Sequence, residues 1–245
     1  MTTPQQYGPT EQISPHLDET AVVRAGGDPA RPIVLLLHGL GSHEQDLASL
    51  APFLPPVFEY VAVRGILRYV QGFAWFPMPV DPARPEQIDP AATAVEEWIA
   101  AQRATGREVA GAIGFSQGGL LALHLLRRDP EALDFVVNLS GWPFPAELPG
   151  DAALAARRPP VLWGHGGADP LYDEAAETAI RAFLTEHTAV EEERRPALGH
   201  AVDEIELRAV AAFLARRAEE GSRAEDDPCA EEEPGAGEDP RTDAR

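Results

Sequence analysis

Short, nearly continuous apolar runs recur along this chain and alternate with stretches of helical periodicity. That alternation limits the folds open to it more than any other feature. A strand covered on both faces takes apolar side chains at successive positions, not only at every second one. Ile33–Leu37, Tyr60–Val63, Val109–Phe115, Phe135–Leu139 and Val161–His165 read this way, with Ala21–Arg24 as a shorter run. Val190–Arg195 is polar and is expected at an edge. Helices are expected over Glu44–Phe53, Ala91–Arg103, Gly118–Arg128, Asp173–His187 and Ala201–Arg217. In the last of these, Val202, Ile205, Val210, Phe213 and Leu214 form an apolar stripe. Strands and helices in this order predict an α/β fold: a mostly parallel central sheet with helices on both faces. Two proline-rich stretches, Pro52–Pro56 and Pro77–Pro90, read as excursions from the sheet; the second is long enough to be a functional loop.

A chain of 245 residues can bury most of its apolar surface without a disulfide or metal staple. Its 40 acidic residues outnumber its 20 basic ones, and every base is arginine. A net charge of −20 argues against nucleic acid or an anionic membrane surface as partner, because both require clustered positive charge. The absence of lysine also removes the usual phosphate-loop residue, and Gly114–Gly119 does not fit the dinucleotide-binding glycine pattern. A single cysteine, Cys229, excludes an internal disulfide and fits a cytoplasmic setting. No signal peptide is evident at the N-terminus, and no apolar run approaches the roughly 20 residues of a membrane span. Residues 219–245 hold 11 acids and three arginines with no large apolar side chain. They read as a disordered acidic tail, residues 1–15 as a flexible N-terminal segment, and 16–218 as the folded domain.

Gly114-Phe115-Ser116-Gln117-Gly118-Gly119 follows an apolar strand and opens a helix. In that context the pattern places a serine at the apex of a strained strand-to-helix turn, with small residues where the chain passes closely. A serine hydroxyl is a weak nucleophile and requires a base, which in turn requires an orienting carboxylate. Downstream, strand Val161–His165 runs into a glycine-rich loop ending in Asp169, and His200 lies in the next strand-to-helix loop. Asp173 is the alternative acid, although its place suits a helix cap better. The other histidines read as surface, helix or structural residues. Upstream, His38-Gly39-Leu40-Gly41-Ser42 follows Ile33–Leu37. A glycine-rich turn there offers one backbone N–H, that of Leu40, to a developing oxyanion. Gln117, immediately after the serine, offers the second.

In this order, His-Gly-Leu-Gly, Gly-Phe-Ser-Gln-Gly-Gly, His-Gly-x-x-Asp and Gly-His make the chain resemble the phospholipase/carboxylesterase family of α/β-hydrolases over residues 20–217. The family includes small bacterial carboxylesterases and acyl-protein thioesterases. The resemblance implies the α/β-hydrolase fold, with Ser116 as nucleophile, Asp169 as acid, His200 as base, and Leu40 and Gln117 as oxyanion donors. It implies a small-molecule ester as substrate, and neither cofactor nor metal. Two positions depart from the family pattern: Ser42 and Pro77 stand where Asp is common. Both fall at the pocket mouth and bear on the substrate, not on the triad. An acyl or alcohol pocket is expected from Trp75, Phe76, Met78, Trp142, Phe144 and Leu171, loop residues beyond the candidate strands. The expected activity is cleavage of carboxylic esters. Thioester or lysophospholipid cleavage on the same triad is the alternative, with a non-catalytic binding protein of this fold behind it. The oligomeric state is not readable from the sequence.

Overall fold

A computed structural model describes residues 7–26 and 30–226. In chain order it begins with strands β1 (Thr10–Gln12), β2 (Val23–Ala25) and β3 (Ile33–Leu37), then helix α1 (Glu44–Ala48). Strands β4 (Glu59–Val63), β5 (Leu67–Tyr69) and β6 (Gly72–Ala74) precede helix α2 (Asp89–Ala104). Strand β7 (Val109–Phe115), helix α3 (Gln117–Arg128), strand β8 (Phe135–Leu139) and helix α4 (Asp151–Arg157) follow. The described chain closes with β9 (Pro160–Gly166), α5 (Glu174–His187), β10 (Ala189–Arg195) and α6 (Glu204–Asp226).

Seven strands make the main sheet in the order β10-β9-β8-β7-β3-β4-β2. All neighbours are parallel except β2 and β4. Strand β3 is buried along its whole length because both of its faces are covered. Leu35 and Leu37 face a core shared with α2, α3 and α5; Val34 and Leu36 face one shared with α1 and α6. Polar β10 takes one edge, as its composition predicts.

Register sets the place of the site. Leu37 pairs with Gly114, Phe115 with Leu139, and Leu139 with Gly164, so β3, β7, β8 and β9 end in line. The chain reverses its direction of travel across the sheet between β3 and β7. Crevices at such a switch point, outside the carboxyl ends of the strands, are where α/β sheets bind ligands.

The structure departs from expectation in several places. Helix α1 stops at Ala48, and a separate 3-10 turn covers Ala51–Phe53, because Pro52 cannot continue an α-helix. Helix α6 starts at Glu204, not Ala201, where Asp203 accepts hydrogen bonds from Ile205 N–H (3.0 Å) and Glu206 N–H (2.8 Å). It runs to Asp226, into the segment read as tail. The rest of that segment, 227–245 with Cys229, lies outside the described residues, as do 1–6 of the N-terminal segment. Within 7–15, Thr10–Gln12 pairs with β5, and β5 with β6, in a three-stranded sheet that three-residue runs gave no pattern to announce. Helix α4 was also not expected. Among the described residues no helix is long and apolar enough to cross a membrane.

Candidate active site

Ser116 sits between β7 and α3 with φ 53° and ψ −112°, a conformation L-residues rarely adopt. The glycines around it explain how the turn fits. A Cβ on Gly114 would lie 2.2 Å from the Gly118 carbonyl oxygen, and one on Gly118 would lie 1.9 Å from the Leu37 oxygen. One on Gly119 would lie 2.2 Å from Asn138 Oδ1. The Ser116 N–H donates to the Leu139 carbonyl (2.8 Å), which ties the apex to β8.

Three expected residues converge here. Ser116 Oγ lies 2.9 Å from His200 Nε2, and His200 Nδ1 lies 2.6 Å from Asp169 Oδ2. With the proton on Nδ1, donated to the carboxylate, Nε2 is left to accept the serine hydroxyl proton. The other carboxylate oxygen, Oδ1, accepts the Leu171 N–H (2.9 Å), so Asp169 is held from both sides. The Phe115 ring lies 4.9 Å from the His200 ring and flanks it. Asp173, the alternative acid, instead caps α5 by accepting the Ala176 N–H (2.8 Å).

Leu40 lies in a turn closed by Ser42 N–H to Gly39 C=O (3.2 Å). Gly41, with φ +78°, occupies the third position, the backbone geometry of a type II turn. Leu40 is then the second residue, and its N–H is not used within the turn. Gln117 opens α3, so its N–H has no acceptor inside the helix. Gly41 N–H donates to Phe73 C=O and Phe73 N–H to Ser42 C=O (both 2.8 Å), which fastens β6 to this turn.

The six expected pocket residues divide. Trp75 and Phe76 are each only 1 % exposed and do not reach the nearby groove. Aromatic character in a loop predicts a pocket role for both, but long-range hydrogen bonds turn the segment inward. Trp75 donates its backbone N–H to Gln117 Oε1 and its indole N–H to His38 C=O (both 2.9 Å); Gln117 Nε2 donates to Phe76 C=O (2.8 Å). Met78, Trp142, Phe144 and Leu171 do line the groove, a cavity of about 1300 Å³. It extends between α4 and α5, where Ala152, Ala155, Ala176 and Ala179 keep the walls low. Buried Arg127 holds one wall, pairing with Asp151 (2.6 and 2.7 Å) and donating to the Phe144 carbonyl (2.7 Å). None of Ser116, Asp169 or His200 lines the groove. It abuts the triad through Leu171 and Tyr172, whose N–H groups bond to Asp169.

Two contributors carry no signal in the sequence: the side chain of Gln117, and Tyr172, whose hydroxyl donates to the Ser140 carbonyl. The buried His38 ring has both nitrogens satisfied: its Nε2 accepts Gly65 N–H (3.0 Å) while Nδ1–H donates to Gly39 C=O (2.8 Å). Burial pulls it down to about 4, so it stays neutral. Among the described residues one donor group suits a metal, His165 with Glu177 and Glu192. Arg181 already pairs with both of its carboxylates (2.7 and 2.5 Å), and no triad residue belongs to it.

Known proteins place this architecture. Carboxylesterase SOBER1 of Arabidopsis thaliana is 28% identical over 223 residues, covering 79% of this chain and 93% of its own. Esterase YpfH of Escherichia coli (strain K12) is 28% identical over 193 residues, covering 74% and 81%. Among solved structures, esterase PE8 matches with a TM-score of 0.67 at 27% identity, over 82% of this chain and 99% of its own. The Bacillus cereus carboxylesterase matches in fold with a TM-score of 0.68 at 21% identity, over 80% and 93%. The phospholipase/carboxylesterase family model covers residues 18–217. The chain belongs to the phospholipase/carboxylesterase family of ester-hydrolysing enzymes.

Proposed function

We propose that this chain is a serine carboxylesterase that works through an acyl intermediate on Ser116. The observation that carries the reading is the continuous hydrogen-bonded line Asp169–His200–Ser116 at a strained strand-to-helix turn. His200 Nε2 takes the hydroxyl proton as Ser116 Oγ attacks the ester carbonyl. The tetrahedral oxyanion receives the N–H groups of Leu40 and Gln117. Losing one donor of this kind typically costs roughly 2.7–4 kcal/mol in the barrier. The imidazolium, steered and stabilised by Asp169, then protonates the departing alcohol. A water activated by the same imidazole releases the acid.

The apolar portion of the substrate lies against Met78, Trp142 and Leu171, apolar residues of the groove. A small-molecule ester with an extended apolar group is therefore the favoured substrate class. The lone cysteine fits a cytoplasmic enzyme. Ser116→Ala abolishes hydrolysis of a short p-nitrophenyl ester while the circular dichroism spectrum stays unchanged; full activity in that variant refutes the mechanism. Rates on matched esters and thioesters then show which acyl donor is preferred.

A further inference from the structure

We propose that Trp75 and Gln117 form a strut that sets the spacing between the two oxyanion donors, which makes both side chains positioning residues for the reaction. The inference rests on the reading of Ser116 as nucleophile.

The donors stand on separate pieces of chain. Leu40 belongs to the turn after β3, and the Gln117 N–H to the start of α3. Sheet pairing aligns Leu37 with Gly114 but ends there, before either donor is reached. Gly118 lets α3 come close to the Leu37 carbonyl, a close approach of backbone to backbone. Trp75 bridges the gap. Its indole N–H holds the carbonyl of His38, two residues before Leu40, and its backbone N–H holds the Gln117 side chain, on the donor residue itself (both 2.9 Å). Gln117 closes the link by donating Nε2–H to Phe76 C=O (2.8 Å).

Two features give the strut stiffness. Trp75 and Gln117 are each 1 % exposed, so no water competes for these bonds. The Gln117 amide faces one backbone donor and one backbone acceptor, so flipping it would break both bonds. On the far side the His38 ring grips Gly39 C=O and Gly65 N–H, and its centroid lies 5.1 Å from that of Trp75. The turn carrying Leu40 is thus clamped to the segment that clamps Gln117.

The test separates placement of the oxyanion from binding of the ester. Gln117→Ala retains the backbone donor and removes only the side-chain link. A misplacement on the 1 Å scale costs up to about 100-fold in rate. Gln117→Ala should therefore lower kcat by about 10- to 100-fold on a short p-nitrophenyl ester, with KM within about threefold. Affinity for a trifluoromethyl ketone, which forms a tetrahedral adduct on Ser116, should fall by the same factor as kcat. Gln117→Glu keeps the acceptor for Trp75 N–H but sets a carboxylate against Phe76 C=O. Protonation restores the donor, so the ratio of variant to parent kcat should climb as pH falls from 8 to 6. Trp75→Phe removes the indole link alone and should lose kcat and ketone affinity together, by less. If Gln117→Ala does not fold, the pH ratio of Gln117→Glu and the Trp75→Phe pair of readouts decide. Unchanged kcat, or a loss confined to KM with ketone affinity intact, overturns the strut. A parent enzyme whose Ser116 fails to react with a fluorophosphonate overturns the serine mechanism itself, which distinguishes the two failures.

Discussion

Two buried carboxyls flank β9 and live in opposite surroundings. Asp169, in the loop just after the strand, has a donor for each oxygen: His200 on one and Leu171 N–H on the other. Glu206, in the first turn of α6, presses its Oε1 towards Gly164 within the strand and has no hydrogen-bond partner for either oxygen. Burial, with smaller contributions from Asp203 and Glu193 and against the pull of Arg195, raises Glu206 to about 8. Depth alone does not decide what a carboxyl does; the donors aimed at it do. A carboxyl held by two donors can steer a charged imidazole, whereas one without them is held neutral and fills space.

The largest effect expected from breaking this contrast is at Asp169. An amide there would donate to His200 Nδ1 and turn the imidazole proton towards Ser116, leaving no acceptor for the hydroxyl. Asp169→Asn should lower kcat/KM by about 10⁴-fold, the scale of the same change in a serine protease triad. Steady-state kinetics on a p-nitrophenyl ester, with circular dichroism as control, measures it. Retained activity, with the loss appearing in Asp173→Asn instead, would reassign the acid.

Glu206 should behave in the reverse way, changing stability and sparing the chemistry. Below about pH 4.5 the carboxyl is protonated both folded and unfolded. Between about 4.5 and 8 the unfolded chain gives up this proton and the folded chain keeps it, so stability drains away as pH rises and levels off above 8. Gln at this position cannot titrate. The advantage of Glu206→Gln over the parent should grow by about 1.4 kcal/mol per pH unit across that window. Urea unfolding at pH 5 and pH 9 reads it directly; an advantage equal at both would mean that Glu206 is not held neutral. Gly164→Ala should cost less, about 1–3 kcal/mol, because its Cβ would meet Glu206 Oε1 at 2.3 Å and Leu139 Cδ2 at 2.9 Å. Combining it with Glu206→Ala should recover most of that loss, as measured by Tm.

What was legible in the sequence follows the same division. The turn at Ser116 could be read because its glycines record backbone contacts only Gly tolerates, and the chain order of Asp169 and His200 completed the set. The burial of Trp75 and Phe76 could not be read, because an aromatic in a loop does not announce which way it points. The amide that decides it belongs to Gln117, about 40 residues away. Strands β1, β5 and β6 are too short to show a period. Glu206 reads as one more surface acid on a charged helix; only the side-chain space missing at Gly164 takes it inside. Local geometry is written in residue type, but long-range polar partners are not.

Asp173 provides the smallest and cleanest check, because it lies four residues from Asp169 and differs from both buried carboxyls in being exposed. Its Oδ1 accepts the Ala176 N–H (2.8 Å), satisfying one of the donors that the start of α5 leaves without a partner. Removing such a cap typically costs about 1 kcal/mol. Asp173→Ala should lower the unfolding free energy by about that amount, at pH values where the carboxylate is charged, and leave kcat on a short ester unaltered. Asp173→Asn should recover most of the stability, since an amide oxygen caps nearly as well. A drop in kcat on the Asp169 scale would mean that this carboxylate reaches His200 during turnover, and the distinction between steering and capping on which the comparison turns would fail.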